Sequence, residues 1–288
     1  MYNTFVRYMK LYTKQLAHAA LCLVFILVAC TKNTVVDGGN PTDNGHLALG
    51  NPSQADGLQP TNYLLEKGYY TLSYNNTTRI ANWVSWHLHG PDLGTTPRQD
   101  DFRADIALPQ NWYQVSASSY SGSGFDRGHN CPSADRTSSV AANSSTFLMT
   151  NMIPQAPQNN QQTWANFEDE LRSLVEAGNE VFVIMGNYGT GGTGTKGYAE
   201  SINNSEIHVP AYIYKIALVL PQGTNDLARI TAATRVICIN TPNSQTVDSN
   251  WKLYRTSVDA IEQATGYNFL SNLSSSLQST LEATVDNL

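Results

Sequence analysis

The chain has 288 residues, 41% apolar and 14% charged, with 20 Gly, 12 Pro and 15 Tyr, a composition that excludes disordered and fibrous proteins and suffices for one substantial core or two small ones. Its 17 Lys+Arg against 23 Asp+Glu give a formal charge of −6. A protein that grips polyanions mainly through bulk electrostatics is thereby excluded, and any contact with nucleic acid has to be local.

At the start of the chain, Arg7, Lys10 and Lys14 precede an uncharged apolar run from Ala19 to Ala29, the pattern of a secretory signal. The run is 11 residues long, short of the roughly 20 that span a bilayer. Leu27-Val28-Ala29-Cys30 resembles the bacterial lipobox, in which the cysteine is acylated and becomes the new N-terminus. The expectation is that residues 1–29 are removed and that lipidated Cys30 anchors the protein to the cell envelope, at the outer membrane, the alternative being an ordinary secreted protein. Processing would leave 14 basic against 23 acidic residues, a net charge of −9. Residues 31–60 run through Asn, Gly, Pro, Asp and Thr, the composition of a flexible tether, so residues 30–60 are expected as linker and 61–288 as one domain starting near Tyr63.

Tyr69–Tyr74 and Trp83–Leu88 are rich in aromatic and β-branched residues and flank Asn75-Asn76-Thr77-Thr78, which predicts two strands joined by a turn. Asn160–Ala177 carries Trp164, Phe167, Leu171, Leu174 and Val175 at helical spacing. Glu180–Met185, Ala211–Leu220 and Arg229–Ile239 read as three more strands, and Ser257–Thr265 as a helix stopped by Gly266. Gly189–Gly197 reads as a flexible surface loop, and it lacks the Gly-Lys-Ser/Thr ending of a phosphate-cradling loop. Strands and helices follow no βαβ rhythm, so the expected fold is α+β, a mixed or antiparallel central sheet with helices packed on its faces. After processing only Cys131 and Cys238 stay free. Outside the cytoplasm they can pair, and a buried free thiol is equally compatible with the apolar run around Cys238.

The chemistry concentrates in Ser123-Gly-Phe-Asp126-Arg127-Gly128-His129-Asn-Cys-Pro132-Ser-Ala-Asp135-Arg136. His129 can accept a proton near neutral pH, Gly128 permits close backbone approach, and Arg127 and Arg136 can contact phosphate oxygens. Taken alone this is also the description of a structural loop histidine. In the predicted helix Asn160, Trp164 and Glu168 fall at i, i+4 and i+8, so Asn160 and Glu168 can face one side, as in an ordinary amphipathic helix. His87 and His89, at i and i+2, could share a face for metal binding but read more simply as structural, as does His208. Trp83, Trp86 and Trp112 could stack on bases, though aromatics in strands are usually core.

Asp126-Arg127-Gly128-His129, extended by Pro132, Ala134 and Asp135 and preceded by Tyr120-Ser-Gly-Ser-Gly-Phe125, resembles the hallmark of the DNA/RNA non-specific endonucleases of the ββα-metal type, the family of bacterial secreted nucleases and mitochondrial endonuclease G. Trp83-Val84-Ser85-Trp86, Thr150 to Gln155, Asn160 to Glu168, and Ser257 to Glu262 with Thr265-Gly266 follow in the family's order, over roughly residues 63–271. The resemblance implies a ββα-metal motif and Mg²⁺-dependent hydrolysis of phosphodiester bonds in both DNA and RNA, with Mn²⁺ as a substitute. It implies His129 as general base, Asn160 as the direct metal ligand, Glu168 as acceptor from metal-bound water and Asn151 as a brace for the His129 region. Arg98, in Arg98-Gln-Asp-Asp-Phe102-Arg103-Ala-Asp105, is the charge clamp by the same resemblance, with Arg103 as competitor. Arg127 serves phosphate contact or architecture, unless it merely pairs with Asp126 or Asp135. Other readings are a catalytically silent surface-binding lipoprotein, which the acidic charge favours, and a phosphodiesterase for small diesters.

Overall fold

Alternation of apolar residues sets the layout. In the computed structural model, which describes residues 45–288, Ile213, Ala217 and Val219 of one long strand enter one core and Tyr214, Ile216, Leu218 and Leu220 enter another, because successive strand residues point to opposite faces of a sheet. A strand buried on both faces reads as a continuous apolar run, which is how 211–220 appears in sequence. The sheet between the two cores contains β1 (Tyr63–Glu66), β2 (Thr71–Asn75), β3 (Ile80–Leu88), β6 (Asn179–Tyr188), β11 (Tyr212–Pro221), β12 (Arg235–Pro242) and β13 (Arg255–Thr256), in that spatial order. Every neighbouring pair is antiparallel. The sheet is thus wholly antiparallel, one of the two forms expected.

Three small antiparallel pairs lie outside the main sheet. They are β4 (Asp126–His129) with β5 (Met152–Gln155), β7 (Gly192–Gly194) with β8 (Gly197–Ala199), and β9 (Ser201–Ile202) with β10 (Ile207–His208). Helix α1 (Val140–Ser145), capped by the Ser139 hydroxyl, lies between β4 and β5 in the chain. Helix α2 (Ala165–Glu176) buries Phe167, Leu171 and Val175 in the first core. A single turn, α3 (Asp226–Arg229), precedes β12, and α4 (Val258–Thr265) and α5 (Ser275–Glu282) belong to the second core. Ser257 caps α4 by accepting the Ala260 N–H, and Gly266 ends it in the left-handed conformation.

Several expectations need correction. The expected signal segment, Cys30 and residues 31–44 lie outside the described residues. Residues 45–60, expected as tether, are folded: Ala48, Leu49 and Ala55 are buried in the second core, Ser53 Oγ accepts from Trp83 Nε1 at 2.7 Å, and the Ala48 carbonyl accepts from Asn272 at 3.0 Å. Arg229–Thr234 is not strand, because Asp226–Arg229 forms α3 and the Arg229 guanidinium pairs with Asp226 and Glu180. Gly189–Gly197 is not a free loop but includes the β7–β8 hairpin, tied by Thr193 N–H to the Asn243 carbonyl at 2.8 Å. Cys131 and Cys238 are free and buried, in the first and second cores respectively, so the sheet separates them and burial pushes both thiols above their usual range. Among the described residues no helix is long and apolar enough to cross a membrane.

Phe269 is fully buried in the second core, on the face of the sheet opposite α2. Phe269→Ala is expected to cost about 3–5 kcal/mol in urea unfolding, leaving the activity per folded molecule unchanged.

Candidate active site

The DRGH stretch is not a loop. Asp126–His129 is the strand β4, paired so that Asp126 faces Gln155, Gly128 faces Ile153 and His129 faces Met152. Gly128 is required by this pairing, since a Cβ there would collide with the buried side chain of Gln155. Alternation puts Arg127 and His129 on one face of β4 and Asp126 on the other. After β5 the chain enters a helix at once, so two antiparallel strands and a helix form a ββα unit.

That helix opens irregularly. Asn159–Trp164 is a π-turn that precedes α2, a widened form common at functional sites. Its neighbours hold it open: Asn159 Nδ2 donates to Thr241 Oγ1 at 2.9 Å and to the Pro242 carbonyl at 3.0 Å, and Thr163 Oγ1 donates to the Asp248 carbonyl at 2.7 Å. On a regular helix eight steps turn Asn160 and Glu168 roughly 80° apart. One residue absorbed by the wide turn takes back about 100°, which leaves the two within roughly 20° of a common line.

Asn160 Nδ2 donates to Asp126 Oδ2 at 2.8 Å, and Gln161 Nε2 donates to the same oxygen at 2.9 Å. With its NH₂ group so engaged, the Asn160 amide is turned with its oxygen available, and that oxygen accepts from no described residue. Asp126, Arg127, Asn160, Arg98, Asp100 and Phe102 line an open cleft of about 360 Å³, together with Tyr120 and Phe125. Arg98 donates to Asp100 at 2.6 Å and to Ser133 Oγ at 2.8 Å. The first is an exposed ion pair, worth about 0–1 kcal/mol, so it offers little resistance to a phosphate. Arg103 is tied to Asp101 Oδ2 at 2.7 Å and to the Ser144 carbonyl at 2.9 Å and does not line the cleft. Arg127 forms no ion pair with Asp126 or Asp135; its guanidinium lies 3.9 Å from the Phe102 ring centroid. Arg136, considered above for phosphate contact, is 1% exposed and donates to the carbonyls of Tyr69, Asp135 and His87, so it cannot reach a substrate.

His129 adjoins the cleft without lining it. Its ring packs 5.6 Å from Phe102 and 5.0 Å from Phe147, and its Nε2 is buried with no hydrogen-bond partner. Burial first, then the positive charges of Arg98 and Arg127, push its pKa down to about 3. The imidazole is therefore neutral at physiological pH, with one ring nitrogen unused. Because an unfolded histidine titrates near 6.5, the unfolded chain binds the extra proton between about pH 6.5 and 3, and this residue's contribution to stability is lost as pH falls through that window.

Asn151 braces the segment after His129. Fully buried, it accepts from the Cys131 N–H at 3.0 Å and donates to the carbonyls of Cys131 at 2.9 Å and Thr146 at 2.8 Å. Glu168 is held by a partner of its own. It does not line the cleft, and its Oε1 accepts from Lys215 Nζ at 2.7 Å. Lys215 is wholly buried between Trp86 and Trp164, with Nζ 5.4 and 5.1 Å from their ring centroids. Burial raises the Glu168 pKa, and Lys215 opposes the rise. Sequence reading passed over Lys215, although a lysine among Ile213, Ile216, Ala217 and Leu218 is a visible anomaly; it also missed Asp126 as the partner of Asn160.

His87, 2% exposed, contacts Glu180 at 3.1 Å, and His89 contacts Asp92 at 2.6 Å. Their rings stack on each other, so the pair does not present two free nitrogens to one ion. His208 contacts the Gly189 carbonyl at 2.9 Å. Trp83 and Trp86 are core, and Trp112 packs on Tyr63 and Tyr74.

Comparison with known proteins identifies the family. The family model of the DNA/RNA non-specific endonucleases matches residues 50–276. A nuclease from a Nostoc species is 48% identical over 250 residues, covering 86% of this chain and 88% of its own. Human mitochondrial endonuclease G is 31% identical over 225 residues, covering 75% and 72% respectively. The solved structure of an EndoG/EndoGI complex, described as showing the mechanism of EndoG inhibition, superposes with a TM-score of 0.64 at 21% identity and covers 79% of this chain and 91% of that one, a likeness of fold. The chain belongs to the DNA/RNA non-specific endonuclease family. It is a nuclease, a hydrolase whose substrates are nucleic acids.

With the free-enzyme imidazole titrating so low, kcat/KM for cleavage of a short duplex is expected to stay flat from about pH 8 down through 6.5, with any acid limb well below the ordinary histidine value. A half-point near 6.5 would show that the resting imidazole is as basic as one in water.

Proposed function

We propose that the protein is a divalent-metal-dependent, sugar-non-specific endonuclease that hydrolyses DNA and RNA, with His129 as general base and Asn160 as metal ligand. The observation that carries this reading is the hydrogen bond from Asn160 to Asp126, which engages the NH₂ group of Asn160 and leaves its amide oxygen for a cation, in a cleft that Arg98 and Arg127 also line. One neutral amide is a sparse protein contribution, and it suits Mg²⁺, which is reluctant to shed water and is commonly held by few protein groups plus substrate phosphate. A cation held there would neutralise charge on the leaving 3′ oxygen. Glu168, with one oxygen on Lys215, would offer its second oxygen to water carried by a cation held at Asn160.

The chain's own residues divide the remaining work. Arg98 and Arg127 bind the scissile phosphate and offset the charge that builds on it. His129, held neutral, takes the proton from the water that attacks phosphorus, while Asn151 holds the backbone beyond it in register. The two guanidinium groups of the cleft suit phosphate oxygens, so contacts to phosphate dominate and sequence preference is low. We further propose export, with Cys30 lipidated as the anchor at the cell envelope.

Purified protein incubated with plasmid DNA or with RNA, each with Mg²⁺, Mn²⁺ or chelator, tests this reading. Cleavage of both polymers that stops with chelator is expected. His129→Ala should slow cleavage by about 10²–10⁴-fold in protein that remains folded by circular dichroism, and Asn160→Ala should abolish the response to Mg²⁺. Wild-type rates in His129→Ala would remove it as the base, and activity confined to small diesters would replace the polymer substrate.

A further inference from the structure

A second group of acidic residues lies away from the cleft, on α4 and α5. Asp259 and Glu262, three apart on α4, share a face, and Glu282 is the last residue of α5. Carboxylate oxygens of the three lie within 4.8 Å of one another. Glu282 is 5% exposed, and its Oε1 is buried with no hydrogen-bond partner. A buried carboxylate oxygen left alone among like charges, at the negative end of a helix, is a costly arrangement.

None of the ion pairs among the described residues involves any of the three. The contrast with the group His87, Glu180 and Asp226 decides between the two acidic clusters. There the Arg229 guanidinium already sits against both carboxylates, whereas the α4–α5 group has no cation of its own. Glu262 is fixed in place, since its Oε1 accepts the Phe269 N–H at 2.6 Å.

We propose that Asp259, Glu262 and Glu282 form a binding site for one Ca²⁺ ion that ties α4 to α5. An all-carboxylate set without His or Cys selects a hard cation. Two of the three residues reach solvent, which leaves room for the waters that complete the six to eight positions Ca²⁺ takes, and ligands spread over two helices suit its flexible geometry better than the strict octahedron of Mg²⁺. In the metal-free protein, burial and then the charges of Glu262 and Asp259 push Glu282 up to about 7, which is the electrostatic strain a cation would relieve. The family model ends at residue 276, so Glu282 itself lies beyond the matched stretch, at the far end of a helix that begins within it.

The test is thermal unfolding and calorimetric titration of the full chain with Ca²⁺ or Mg²⁺, for wild type, Glu282→Gln, Asp259→Asn and Asn160→Ala. Ca²⁺ at about 5 mM, several times the weakest dissociation constants of calcium modules (roughly 10⁻³ M), is expected to raise the wild-type Tm by about 2–4 °C. Asn160→Ala should keep that rise, which separates this site from the cleft, while Glu282→Gln should lose it with a metal-free Tm no lower than wild type. Asp259→Asn, an exposed position, should weaken it even if Glu282→Gln does not fold. An equal rise in Glu282→Gln or Asp259→Asn, an equal rise with Mg²⁺, or no rise in the wild type would overturn the proposal; the last is what simple protonation of Glu282 would give.

Discussion

The site depends on one hydrogen-bonded tie between two pieces of chain that are far apart in sequence. Asp126, on a short strand, accepts from Asn160 and Gln161 at the opening of a helix, and without that tie the amide oxygen of Asn160 would have no preferred direction. The tie needs both partners to be placed independently. Pairing of β4 with β5 sets the position of Asp126, and the wide helical turn, held through Asn159 and Thr163, sets that of Asn160. A carboxylate acceptor for two neutral donors is charge-assisted, stronger than an ordinary amide bond, and it leaves the cleft with a preorganised oxygen rather than a mobile one.

On the other face of β4 the problem is the reverse, a group that must be kept from acquiring partners. His129 is packed on two aromatic rings, flanked by two guanidinium groups and given no hydrogen bond at Nε2. Each feature disfavours the imidazolium. The same arginines that keep the ring neutral also face the cleft, so their pull on the imidazole weakens when a dianionic transition state engages them. Burial is the larger cause of the low resting basicity, and the two arginines add to it.

The parts of this arrangement that local pattern encodes were legible in the sequence. The apolar run at 211–220, the Asn-rich turn after Tyr74 and the Ser257 to Gly266 helix obey short-range rules, and the structure follows them. The site residues became legible together only through their ordered resemblance to a family, since an isolated His or Asn carries little signal. What stayed hidden depends on distant partners. The wide turn at Asn159–Trp164 is held by residues 241–248, the polar stretch 45–60 folds because Leu49 and its neighbours find the second core, and Arg136 is spent on three carbonyls. Lys215 was visible as a charge in an apolar strand, but its pairing with Glu168 across the core had no local trace.

On the proposed reading, Asp126 acts through Asn160 and not on its own. A double-mutant cycle of Asp126→Ala and Asn160→Ala, read as kcat/KM on a short DNA duplex at saturating Mg²⁺, measures that dependence directly. Strong non-additivity is expected, with the double variant no slower than Asn160→Ala alone within about twofold, or roughly 0.4 kcal/mol. Losses that multiply, each residue contributing its full factor in the presence or absence of the other, would contradict it.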